Sequence, residues 1–142
     1  MTKKLGLYFI LILTLTLAAC GGGAGASAAI SDYDSFVAAL ETSGAEVEEG
    51  GTVSQPFLSV SGRILIVNGV DLQVFEYESE AAAEADAELI SPDGSSTATT
   101  MITWIDTPHF FRAGALIVLY VGDDTATLDL LQSLLGPQFA GG

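Results

Sequence analysis

The chain has 142 residues, room for one domain at about 150 residues per domain, and it carries 18 Asp and Glu against 4 Lys and Arg, a formal charge of −14. One Cys and one His exclude an intrachain disulfide, a Cys-rich zinc site and every motif built on paired histidines. Lys3 and Lys4 stand at the start, so Arg63 and Arg112 alone face the acids of the remainder. That balance repels nucleic acid and anionic lipid, and a hydrophobic content of 49% is too high for a disordered chain.

Residues 1–19 read as an export signal. Lys3 and Lys4 form a positive head, and Leu5 to Ala19 is an uncharged apolar run, shorter than the ~20 residues that a spanning helix needs. The run ends Leu17-Ala18-Ala19-Cys20. This ending resembles the lipobox of bacterial lipoprotein signal peptides, in which small residues precede an invariant Cys. The resemblance implies cleavage before Cys20 and a diacylglyceryl group on its thiol. It places the chain at the cell membrane or the outer membrane, facing outside the cytoplasm. Acyl chains contribute ~0.8 kcal/mol per buried CH₂, so two or more of them anchor stably. Residues 20–29 continue as a Gly/Ala/Ser tether that averages roughly 15–20 Å as a flexible coil. The tether lacks the GxxxxGK[ST] pattern of a phosphate loop.

One globular domain is expected over 30–142. Tyr33, Phe36, Val37 and Leu40 recur at helical spacing, which predicts a helix over 31–40, capped by Ser31 or Asp32 and stopped at Gly44. A short extended piece at 45–48 leads into a turn at Glu49-Gly50-Gly51, and 57–60 reads as a short strand. Asn68-Gly69 between β-branched runs predicts a two-residue hairpin turn joining 63–67 to 70–78. In that register Val67 faces Val70, Leu65 faces Leu72 and Arg63 faces Val74. Leu65, Val67, Val70, Leu72 and Val74 then share the core face, because Asp71 and Gln73 on the other side prefer water.

Ser79 is placed to cap a second helix over 79–90, and Ser91-Pro92-Asp93-Gly94-Ser95-Ser96 has loop chemistry. The Thr-rich stretch 99–106 reads as a strand, interrupted at Thr107-Pro108. A second hairpin follows: 109–112, a turn at Ala113-Gly114, and the unbroken apolar run 115–121, suited to a central strand covered on both faces. Asp123 is expected to cap a third helix over 125–135, stopped at Gly136-Pro137. An offset of 44 residues aligns the halves, Phe75 with Leu119 and Ser79 with Asp123, as a ββα echo. The expected fold is α+β: a two-layer sandwich, an antiparallel sheet with helices on one face, in the order α-β-β-α-β-β-α.

Candidate chemistry is sparse. His109 lies beside Phe110 and Phe111 in a strand, where packing outweighs a triad with Ser95 or Ser96 and Asp106. Arg63 and Arg112 are the two candidates to grip an anionic ligand, against simple ion pairs, of which Arg63 with Glu76 across the hairpin is the specific case. Phe110 and Phe111 point to opposite faces of a strand, so one of them is a candidate for an exposed apolar patch. Glu76, Glu78, Glu80, Asp123 and Asp124 stand where strands meet helices, as caps first and as paired acids second. No cofactor is implied. The stretches Ser91-Pro92-Asp93-Gly94, Pro108-His109-Phe110-Phe111-Arg112-Ala113-Gly114 and 119–139 are similar to small α+β domains of bacterial lipoproteins, a likeness that brings no activity and no site residue. The resulting expectation is a membrane-anchored, non-catalytic binding module, attached through Cys20, with a protein or small-molecule partner. The alternative is a small envelope hydrolase using acids.

Overall fold

The computed structural model describes residues 29–142. The first helix, α1 (Tyr33–Thr42), begins at Asp32, whose carboxylate accepts from Ser35 N while the Ser35 hydroxyl accepts from Asp32 N, a reciprocal capping box. Tyr33, Phe36 and Leu40 are its buried stripe.

Strands β1 (Val47–Ser54), β2 (Ser61–Val67) and β3 (Val70–Glu76) follow in antiparallel succession. The β2–β3 register is the one expected, with Arg63 opposite Val74, Leu65 opposite Leu72 and Val67 opposite Val70. Asn68 (φ 52°) and Gly69 (φ 81°) both take the left-handed conformation that a type I′ turn demands. Helix α2 (Glu80–Ala87) is capped by Ser79, which accepts from Ala82 N. A two-residue ladder, β4 (Ser96–Thr97) with β5 (Thr100–Met101), precedes the second hairpin, β6 (Pro108–Ala113) and β7 (Leu116–Val121). Helix α3 (Thr125–Leu135) and the short β8 (Ala140–Gly141) complete the domain. The main sheet has six strands in the order β1-β2-β3-β7-β6-β8, antiparallel throughout.

The class is α+β with an antiparallel sheet, and β7 is the central strand that its apolar run implied, buried from Leu116 to Tyr120. The helices, however, do not share one face. Leu65, Val67, Leu72, Val74, Val118 and Tyr120 pack with Phe36 and Leu40 of α1 and Leu131 and Leu135 of α3. Phe75, Tyr77, Ile117 and Leu119 pack on the opposite side with Ala83 and Ala87 of α2. Strand parity accounts for the split. Each helix cap lies three residues beyond its strand, Ser79 after Glu76 and Asp124 after Val121. Those ends are offset by 45 residues, not 44, and an odd shift exchanges the faces of a strand. Phe75, next to the end of β3, faces α2, while Tyr120, next to the end of β7, faces α3. The two halves therefore echo in order but not as a symmetric pair.

Several local expectations are corrected. Gly50-Gly51 is not a turn: β1 runs through it with a shift in register against β2 between Glu49 and Thr52, a bulge. Gly50 serves close approach, since a Cβ there would stand 2.9 Å from the Ile64 side chain. Residues 57–60 and most of 99–106 form loops over the α2 face, so the order is α-βββ-α-ββββ-α-β. Helix α2 stops at Ala87, where Ile90 turns out to bridge to Thr97. The cap of α3 is Asp124, which accepts from Thr127 N at 2.8 Å and from the Thr127 hydroxyl at 2.7 Å. The second hairpin turns at residues 114–115, one position later than expected.

Candidate functional site

The two arginines are both held by acids. Arg63 on β2 reaches diagonally to Glu76 on β3, Nη2 to Oε2 at 3.7 Å, the pair expected from the hairpin. Its guanidinium carbon lies 4.0 Å from the centroid of the Tyr33 ring, a stacking worth about 0.5–1 kcal/mol at an exposed site. Glu76 also accepts from Tyr33 N, which ties β3 to the start of α1. The Arg63 side chain is 53% exposed and borders a cleft of about 260 Å³ with Tyr33, Glu49, Thr52 and Ile64. On β6, Arg112 meets Glu84 of α2 at 3.7 Å and is 29% exposed. It borders a second cleft of about 240 Å³ with Ile90 and Phe139.

Phe110 and Phe111 do point to opposite faces, but both faces are covered. Phe110 is 0% and Phe111 2% exposed, each in a different core, so neither forms an exposed patch. Apolar exposure lies elsewhere, at Leu89, Met101 and Ile105. Met101 and Ile105 belong to 95–105, a stretch without a charged residue. That absence of charge is the signal through which the sequence could have shown them.

His109 is buried, and its ring stacks on Tyr120 with 5.9 Å between centroids. Its Nδ1 is 2.7 Å from Gln138 Oε1, and its Nε2 is 3.9 Å from Asp123 Oδ1. Of the residues that a triad would use, the Ser95 hydroxyl donates to Asp93, and Asp106 accepts from Thr107 N. The structure also parts the two acidic groups. Because β3 and β7 are antiparallel neighbours, Glu76, Glu78 and Glu80 follow one end of the sheet and Asp123 and Asp124 the other. Among the described residues, no three His, Cys, Asp or Glu side chains come together as metal ligands.

The 91–96 loop has its own electrostatic signature. Asp93 accepts from the Ser91 hydroxyl at 2.6 Å, from Ser95 N at 3.0 Å and from the Ser95 hydroxyl at 2.8 Å. These bonds, led by that from Ser91, hold its carboxyl at about 2. A carboxyl lowered on folding adds stability above its unfolded value, about 3.9, and that stability is lost as pH falls through the folded value. Asp93→Asn is expected to flatten the decline in unfolding midpoint between about pH 4 and pH 2. Parallel acid limbs for the two proteins would refute the assignment.

Cys20 and its lipobox lie outside the described residues, as does the tether before Ala29. Among the described residues, no helix is long and apolar enough to cross a membrane. Compared with family models, curated proteins and solved structures, the chain matches none of them.

Proposed function

We propose that the chain is a lipid-anchored bacterial envelope protein whose domain, 30–142, works as a binding or interaction module rather than as a catalyst. One observation carries the reading: a basic head at Lys3-Lys4, an uncharged apolar run and Leu17-Ala18-Ala19-Cys20 stand in the order and spacing of a lipoprotein signal. In this reading the Cys20 sulfur carries a diacylglyceryl thioether, the tether spaces the domain from the bilayer by roughly 15–20 Å, and the acyl chains supply the attachment.

The binding half of the proposal draws on the surface. Arg63 keeps donors beyond its single ion pair and stands at the mouth of a cleft, a place for an anionic group of a small ligand or of a protein. Exposed Met101 and Ile105 supply apolar contact area on the opposite, loop-covered side.

Growth of an expressing bacterium with labelled fatty acid tests the anchor. The wild-type chain is expected to take up label and to sediment with membranes, and its mature form is expected to begin at a modified Cys20. Cys20→Ala is expected to abolish labelling. An unlabelled wild-type chain, or a mature chain with a free unmodified Cys20, would overturn the proposal.

A further inference from the structure

The surroundings of His109 fix where its ring carries a hydrogen. Gln138 Nε2 donates to Gly141 O at 2.9 Å. That bond turns the amide so that its Oε1 faces His109 Nδ1 at 2.7 Å. An amide oxygen only accepts, so Nδ1 carries the hydrogen, and Nε2 of the neutral ring is a bare lone pair. Nε2 is buried and has no hydrogen-bond partner among the described residues. The polar atom it approaches is Asp123 Oδ1 at 3.9 Å, a second acceptor. Two acceptors that face each other at this distance call for something electron-poor between them.

We propose that His109 Nε2 and the Asp123 carboxylate form a binding site for a divalent transition-metal ion of the zinc class, with water completing the coordination. Zinc sits about 2.0–2.1 Å from an imidazole nitrogen and about 2.0–2.2 Å from a carboxylate oxygen. Tetrahedral zinc with those lengths puts the two atoms about 3.4 Å apart, so the 3.9 Å gap closes on an ion with a small movement of Asp123. Asp123 is 69% exposed and is free to draw in, because Asp124 and not Asp123 caps α3. His109 is held as metal-binding histidines are: Nδ1 donates to a carbonyl oxygen, and the ring lies against Tyr120, so the lone pair has one direction. An imidazole nitrogen with a carboxylate suits zinc, copper or nickel, whereas calcium and magnesium take oxygen ligands alone. A chain with a formal charge of −14 concentrates cations at its surface. The site joins β6, the β7–α3 connection and the segment after α3, and it does not depend on lipidation.

Zinc titration by calorimetry tests the site. The full chain is used in detergent at pH 7.5, without a polyhistidine tag and with Cys20→Ser to remove the competing thiol. One Zn²⁺ per chain is expected, and the ring resonances of His109, the sole histidine, are expected to shift on saturation. Asp123→Asn is expected to weaken binding at least tenfold, His109→Gln to abolish saturable binding, and Gln138→Leu to weaken it by about 10–100-fold through loss of ring orientation. Asp93→Asn, a carboxylate remote in the 91–96 loop, is expected to bind as the parent does. Because Asp123 is at the surface, its variant reports on the metal even if His109→Gln fails to fold. Absence of saturable binding, equal weakening by Asp93→Asn and Asp123→Asn, or ring resonances that respond to acid but not to Zn²⁺ would each overturn the proposal; the last would assign the gap to a proton.

Discussion

Phe110→Ala is expected to destabilise the domain by about 3–5 kcal/mol, the range for emptying a buried aromatic site. Phe110 is 0% exposed. Its ring meets Phe57 at 6.3 Å, Trp104 at 5.8 Å and Phe139 at 6.0 Å between centroids. The pairs with Phe57 and Trp104 are edge-on, and such pairs add about 0.5–1.5 kcal/mol each beyond the area they bury. At roughly 4 °C per kcal/mol for a domain of this size, the thermal midpoint is expected to fall on the order of 12–20 °C. Phe111→Ala is expected to cost a similar amount in the other core. The two variants differ in what they disturb. Trp104, the one tryptophan, packs on Phe110 and donates from Nε1 to Gly94 O at 2.7 Å. Its emission is expected to change in folded Phe110→Ala and to stay unchanged in folded Phe111→Ala. A drop of only a few degrees, or a Trp104 response to both variants, would contradict a sheet covered on both faces.

The same residues show what was legible in the chain and what was not. The β2–β3 hairpin was readable to the residue, because Asn68-Gly69 admits one turn geometry and period-2 alternation then sets every partner. It even placed Arg63 against Glu76. Local signals failed where a distant partner decides. Gly50-Gly51 is equally good chemistry for a turn and for a bulge, and only the neighbouring Ile64 in β2 selects the bulge. The β-branched stretch at 99–106 had strand propensity, yet Trp104 turns inward to Phe57 and Phe110. Tertiary packing overrides a weak local preference there. The face of each helix was lost to a single residue, since an offset of 44 or 45 looks alike in sequence but reverses the side from which a strand hands over to its helix.

The candidate site was less legible than the fold. His109 reads correctly as a strand residue among aromatics, but its ring is oriented by Gln138, on the segment after α3, and faces Asp123, on a connection. No spacing rule joins three such positions. Asp123 looked like the cap of α3. Because Asp124 takes that role, the neighbouring carboxylate remains for the histidine. A one-residue shift of the cap therefore conceals the approach of the buried His109 Nε2 to an acid.

Asp86→Ala is expected to cost about 2–4 kcal/mol, from hydrogen bonds to a charged acceptor and from the buried donor left behind. Three donors converge on a single oxygen, Asp86 Oδ2: Ser59 N at 2.7 Å, the Ser59 hydroxyl at 2.8 Å and the Tyr77 hydroxyl at 2.9 Å. Ser59 belongs to the loop that carries Phe57 onto Trp104, and Tyr77 is 5% exposed in the α2-side core. The contact therefore fastens loop, sheet and helix at one point. Asp86→Asn retains an acceptor oxygen and is expected to recover about half of the loss, while Tyr77→Phe removes one donor at a cost near 1 kcal/mol. The latch also has a pH signature. Burial first, then the hydrogen bond and charge of Asp86, push the Tyr77 hydroxyl well above its ordinary range. A group raised on folding contributes stability that is complete below its unfolded value, about 10 for tyrosine, and is lost as pH climbs toward the folded value. The wild-type unfolding midpoint is thus expected to decline above about pH 10, with a shallower decline in Tyr77→Phe. Burial raises Tyr33 as well, so the slope is reduced and not removed. If Tyr77→Phe keeps the full alkaline slope, or Asp86→Ala unfolds at the wild-type midpoint, then the loop over α2 is held by its aromatic rings alone and the carboxylate is incidental to it.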